Sequence, residues 1–123
     1  MEFLLVGLGG ALGAIARFAV MKLDWFSGDR FLLTMIINLS GCLLIGVVWA
    51  LLHHVIDRRE VYLFVVAGLL GGYTTYSTFG YETLELIRGG QTLTALLYVA
   101  TTVVGGLACC AAGYTIVAKF AAR

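Results

Sequence analysis

Residues 68–82 read GLLGGYTTYSTFGYE. The stretch falls in the third of four apolar runs, and every residue from Tyr73 to Thr78 carries a hydroxyl. Each glycine of the Gly71-Gly72 pair weakens a helix by about 1 kcal/mol relative to alanine. The chain has no proline, so this pair is the expected place for a helix break. A break frees carbonyls and amides that must be buried in protein or line water, because lipid offers them no partner. Freed carbonyls can hold a desolvated cation, as half-helix ends do in transporters. Beyond the break, helical spacing sets Thr75 above Phe79 and Thr74 above Thr78, with Tyr76 and Phe79 as i, i+3 neighbours. Such a segment offers hydroxyl donors beside aromatic ring edges, the positive side of the ring quadrupole. A small anion fits both.

The surrounding chain establishes lipid as the solvent. Its 123 residues are 61% hydrophobic and 12% charged, with a mean hydropathy of +0.99, more apolar surface than a small soluble domain can hide. No ionised side chain occurs over Phe31–Ile56, Val61–Tyr81 or Gly89–Ala118. The shortest of these reaches about 31 Å as a helix, enough to cross a hydrocarbon core. The first run, from Phe3 to about Val20, is interrupted by Arg17. These runs predict one all-α integral membrane domain with helices at about 3–22, 31–53, 61–86 and 91–119, the third of them broken. Met1-Glu2 lacks the basic start of a cleavable signal peptide. Trp25 and Phe26 suit an interfacial aromatic belt. His53-His54 lies beside Asp57, Arg58, Arg59 and Glu60 and reads as a solvated loop. Cys42, Cys109 and Cys110 read as small buried thiols without metal-ligand spacing.

Charge gives little orientation. With four spans, Arg58, Arg59, Lys119 and Arg123 share one side, against Lys22, Arg30 and Arg88, joined by Arg17 if it reaches the surface. Under the positive-inside rule this balance leaves two topologies open. Either the chain inserts both ways and pairs as an antiparallel homodimer, or it takes one fixed orientation with a weak bias. Small residues favour close packing in both cases: Gly9, Gly13 and Arg17 share a face of the first helix, and Gly105, Cys109 and Gly113 a face of the fourth, with Gly106 and Cys110 beside them.

Few groups at depth can do chemistry. Asn38 sits eight residues into the second helix, on a face with Cys42 and Gly46, and its amide costs roughly 2–7 kcal/mol if left unpaired. Arg17 either draws anions into a vestibule or caps a neighbouring helix's carbonyls. Glu82 and Glu85 come only at the end of the third run, whereas a proton-coupled cation exporter needs a carboxylate within the membrane. Hydrolytic chemistry has no triad, metal cluster or phosphate loop to use. The chain is not expected to be an enzyme.

In three places the sequence resembles the Fluc (CrcB) family of fluoride channels. These are Gly9-Gly10-x-x-Gly13-x-x-x-Arg17, Asn38 with Gly46, and the run Gly71-Gly72-Tyr73-Thr74-Thr75-Tyr76-Ser77-Thr78-Phe79. The last is specific, and the likeness extends over nearly the whole chain. The resemblance implies passive fluoride export across a bacterial-type plasma membrane by a dual-topology homodimer with two antiparallel pores, some family members pairing instead with an oppositely oriented paralogue. It implies a structural sodium ion at the dimer interface, held by backbone carbonyls of Gly71 and Thr74. It also implies pore contacts from Asn38, Tyr76, Phe79, Ser77 and Thr78, and a vestibule or structural role for Arg17. Two departures stand out. Tyr76 replaces the usual phenylalanine, and Gly106 and Cys110 align where the family often carries Ser or Thr, leaving Cys110 as a weak donor in the polar track. The competing readings are a small multidrug-type proton-coupled transporter and a helical assembly subunit that transports nothing.

Overall fold

The computed structural model describes residues 1–22, 28–54 and 59–121. The expected aromatic belt at Trp25 and Phe26, the loop charges of Asp57, Arg58 and Arg123, and the side chain of His54 lie outside the described residues. The chain forms α1 (Glu2–Lys22), α2 (Arg30–His54), a third segment in several pieces, and a last helix, α6 (Thr92–Ala121). The third segment consists of α3 (Arg59–Val61), a π-helical stretch (Tyr62–Leu70), α4 (Gly71–Tyr73) and α5 (Tyr76–Arg88). Three of the described helices, α1, α2 over Arg30–His53, and α6, are long and apolar enough to cross a bilayer. The turn from α5 to α6 uses Gly90 at a φ of 77°, a conformation open to glycine at no steric cost.

The order of contacts fixes the directions. Gly9 lies against Phe64 and Gly68, Gly13 against Leu69 and Tyr73, and the Arg17 guanidinium reaches Gly72. Partners ascend together, so α1 and the third segment run in the same direction. Against α2 the order reverses: Thr34 meets Glu82, Asn38 meets Thr75 and Ser40 meets Tyr73. The α2–α6 pair ascends again, with Leu39 on Gly105, Cys42 on Gly106 and Gly46 on Cys110. The four helical segments therefore alternate in direction.

Glycine makes these contacts close. At Gly13 an added Cβ would come 2.8 Å from the Tyr73 nitrogen, and at Gly9 it would come 2.9 Å from the Leu69 nitrogen. On α6 the face against α2 takes in Gly105, Gly106, Cys110 and Gly113, drawn both from the stripe that spacing suggests and from the residues beside it. The inner core is built where α2 and α6 meet: Thr34, Ile37, Ala50, Ala95 and Tyr98 are all buried.

The Gly71-Gly72 pair does not mark the interruption. Both glycines are helical, and the backbone leaves the helix at Thr74 (φ −80°, ψ 159°) and Thr75 (φ −149°, ψ 111°). Packing explains the difference. A Cβ on Gly72 would lie 3.0 Å from Gly10 Cα, so this glycine is used for backbone approach to α1. The helix stops where side chains can take over the freed backbone groups. Before the stop, the chain is already wound loosely: the Gly71 amide donates to Val66 five residues back, the π pattern that often accompanies functional sites.

Candidate functional site

A helix end leaves backbone groups without partners, and several of those at Thr74–Thr75 are met by side chains. Arg17 Nε donates to the Gly72 carbonyl at 3.2 Å, a capping contact from α1. Thr74 turns both its amide (3.0 Å) and its hydroxyl (2.9 Å) back onto the Leu70 carbonyl. Asn38 clamps Thr75 with two bonds: the Thr75 amide donates to Asn38 Oδ1 at 2.8 Å, and Asn38 Nδ2 donates to the Thr75 carbonyl at 3.1 Å. Thr75 then caps α5. Its Oγ1 accepts from the Thr78 amide at 3.3 Å and donates to Thr78 Oγ1 at 2.9 Å. The extended backbone thus pairs Thr75 with Thr78, in place of the Thr74–Thr78 pairing of an unbroken helix.

The carbonyls of Gly71 and Thr74 are among those that lose their helical partners at the break. In a continuous α-helix the Gly71 carbonyl would accept from Thr75 N–H and the Thr74 carbonyl from Thr78 N–H. Asn38 and the Thr75 hydroxyl have taken those two amides. Gly71 and Thr74 both line a cavity of about 330 Å³ at the break, together with Asn38, Thr75, Tyr76 and Phe79. Removing the cap by Thr75→Val should lower stability by about 1 kcal/mol, seen as a reduced thermal midpoint of the purified protein in detergent. An unchanged midpoint would mean that α5 needs no cap.

The aromatic residues form a file. Tyr76 and Phe79 lie with ring centroids 5.9 Å apart, and Phe79 meets Tyr98 edge-on at 5.1 Å. Phe79 and Tyr98 are buried, whereas Tyr76 is 85% exposed, so the cavity opens on the Tyr76 side. Ser77 is exposed on α5, and neither it nor Thr78 lines the cavity. Cys110 stands apart as well, in a separate groove of about 540 Å³ between α2 and α6, beside Trp49 and Tyr114.

Two features escaped sequence reasoning. One turn beyond Phe79, the Glu82 carboxylate accepts from Thr34 Oγ1 and from the Tyr98 hydroxyl, each at 2.9 Å. Both donors are buried, so the carboxylate is tied into the protein although it comes late in its apolar run. The other is Thr102, on the cavity wall, whose hydroxyl is buried and has no hydrogen-bond partner. An unsatisfied buried hydroxyl costs about 1–3 kcal/mol. Its signal was present in the i, i+4 series Tyr98, Thr102, Gly106 and Cys110. Among the described residues, no group of three or more His, Cys, Asp or Glu side chains is placed to hold a metal ion.

Comparison with known proteins gives a consistent result. A family model described as "CrcB-like protein, Camphor Resistance (CrcB)" matches residues 4–114. A protein of Chlorobaculum tepidum named "Fluoride-specific ion channel FluC" is 45% identical over 118 residues, 94% of this chain and 93% of its own. One of Paracoccus denitrificans with the same name is 43% identical over 115 residues, 93% of this chain and 92% of its own. Another, from Desulfotalea psychrophila, is 37% identical over 124 residues and spans all of this chain and 97% of its own.

Proposed function

The chain belongs to the CrcB-like family, and from that membership we propose that it is a fluoride-specific ion channel of a bacterial plasma membrane. It moves an ion and catalyses no reaction. The observation that carries this reading is the Asn38 clamp on the broken backbone. It holds an amide, hydroxyls and aromatic rings around one cavity in the middle of an apolar chain. Fluoride leaves water at great cost, so a channel must replace its hydration with donors while binding weakly enough to release it. Asn38 Nδ2 has two N–H groups and gives one to Thr75, leaving the other for an anion. The Thr102 hydroxyl has no protein partner. The Thr78 hydroxyl, behind the cavity-lining Thr75, accepts from it. Tyr76 and Phe79 add ring edges, and the amino end of α5 adds the positive pole of a helix.

The alternating directions support a reading with four membrane spans. α2 and α6 run the same way, so the chain between them returns across the bilayer, and the third segment is the returning span, broken at Thr74–Thr75. We assign the functional unit as an antiparallel homodimer. Tyr76 is a cavity residue left 85% exposed in one chain, and a second copy supplies the missing wall. Sodium fits the carbonyls of Gly71 and Thr74, which side chains have released from helical pairing, and carbonyl oxygens are hard donors suited to such an ion. When bound there, sodium supplies a fixed positive charge at the centre of the assembly.

A proton-coupled exporter finds less support, since Glu82 has both carboxylate oxygens engaged by buried hydroxyls. The deciding experiment is efflux from liposomes holding only this chain, followed with a fluoride electrode. Fluoride should leave promptly once counter-ion movement is allowed, while chloride stays trapped. Vesicles that retain fluoride would end the channel reading and leave a subunit without transport of its own.

A further inference from the structure

On the reading of the chain as a fluoride channel, we infer that Tyr73 is a positioning residue for conduction. Through Ser40 its hydroxyl holds the end of α4 on α2, so that Thr75 falls within reach of Asn38. The pairs Ser40–Tyr73 and Asn38–Thr75 stand two residues apart on each segment, on either side of Thr74. Thr74 is where the backbone leaves the helix. One turn of α2 therefore grips the chain just before the break and again just after it.

The neighbours of the first grip fix its direction. Ser40 Oγ donates to the Ile37 carbonyl at 2.9 Å, which spends the one proton a serine hydroxyl has. The hydrogen in the 3.1 Å contact between Ser40 and Tyr73 therefore comes from the tyrosine. Its hydroxyl is committed to the protein and acts on the ion only through the backbone it holds. Gly41 completes the seat. It is buried, and a Cβ on it would run into the Thr74 methyl and lie 3.6 Å from Tyr73 Cδ1. Thr74 is then fixed on every branch: its amide and its hydroxyl both turn to Leu70, and its methyl rests on Gly41. A tyrosine side chain has only two χ angles, so the ring acts as a stiff spacer between α4 and α2. Without the hydroxyl the grip ahead of the break is gone, and the Thr75 amide drifts from Asn38 Oδ1. The Asn38 amide loses its orientation in the cavity with it.

The test compares wild type with Tyr73→Phe, Ser40→Ala and the double variant, and reads two quantities. One is hydrogen exchange at the Thr75 amide, set against the Ala108 amide in the middle of α6, since local opening speeds only the amides it frees. The other is the single-channel fluoride current in a planar bilayer, which does not depend on how much of the protein folds. Tyr73→Phe keeps the ring on Gly41. Its Thr75 amide should exchange about fivefold faster, the worth of one net hydrogen bond, with Ala108 unchanged, and its current should fall by a similar factor. Ser40→Ala should reproduce both changes. The double variant should add nothing further, because two residues that act through one bond are non-additive. Wild-type exchange at Thr75 in Tyr73→Phe overturns the inference, as does equal acceleration of both amides, which marks a general loss of stability. Faster exchange at Thr75 with an unchanged current overturns it too, and so do additive effects in the double variant. Wild-type protein that carries no fluoride current overturns the channel reading instead, and exchange at Thr75 still decides whether Tyr73 holds the clamp in place.

Discussion

Asn38→Asp should reduce fluoride efflux by at least about a hundredfold, equivalent to about 2.7 kcal/mol in the barrier, while the protein still purifies folded, as the proposed dimer. Asparagine both accepts from the Thr75 amide at 2.8 Å and donates to the Thr75 carbonyl at 3.1 Å. Aspartate keeps the first bond. In place of the second it sets a carboxylate oxygen against a carbonyl oxygen, and it removes the spare N–H that would meet an anion. Its charge adds to the loss. Two like charges about 4 Å apart repel by roughly 4 kcal/mol at an effective dielectric of 20, more than enough to reach a hundredfold. Asn38→Leu separates conduction from folding. It carries no charge but leaves both Thr75 backbone groups unpaired, at about 1–3 kcal/mol each. Its main effect should therefore be a lower thermal midpoint and poor recovery of the dimer. Efflux is read with a fluoride electrode and assembly by size-exclusion chromatography. A wild-type rate from Asn38→Asp would remove Asn38 from the ion's route.

The same residue shows what was legible in the sequence and what was not. An amide alone in an apolar run demands partners, so Asn38 announced itself, as did the hydroxyl run from Tyr73 to Thr78. Gly9 and Gly13 were equally plain, because helix-spaced glycines in lipid usually mark a close approach. The break was misplaced by three residues. Helix propensity favours Gly71-Gly72, but propensity is worth about 1 kcal/mol per glycine, less than the packing of Gly72 on Gly10 and the bonds waiting at Thr75. Those bonds come from a residue 37 positions away, a distance that no local pattern encodes. The Thr34–Glu82–Tyr98 cluster was hidden for the same reason, its members being 48 and 16 positions apart. Thr102 was overlooked because a lone hydroxyl on a helix normally satisfies itself on the preceding turn, as Thr83 does on Phe79 and Thr115 on Ala111. Only the fold reveals that Thr102 does not.

Gly13→Ala should be strongly destabilising, and Gly7→Ala on the same helix should not. The two substitutions are chemically identical, and both replace the residue with a better helix former, by about 1 kcal/mol. Around Gly7 a new Cβ meets nothing within 4 Å, whereas at Gly13 it meets the Tyr73 nitrogen at 2.8 Å and the Leu69 carbonyl carbon at 2.9 Å. Those are backbone atoms, with no flexible end to swing aside. The helices must separate, and overpacking of this kind costs about 1–3 kcal/mol, before the lost contacts along the seam are counted. Separation also acts on the site. α4 follows directly on the π-helical stretch, so moving Leu69 and Tyr73 away from α1 carries the Gly72 carbonyl away from Arg17, 3.2 Å from it in the intact protein. The carbonyl end of the broken helix then loses its cap, and the Asn38 clamp loses its register with Thr75. Gly13→Ala should therefore lower the unfolding midpoint in a denaturing-detergent titration and slow fluoride efflux together, with Gly7→Ala at or above wild type in both. Equal stability of the two variants would mean that α1 does not seat on the third segment through Gly13, and would remove the support on which the break at Thr74–Thr75 is built.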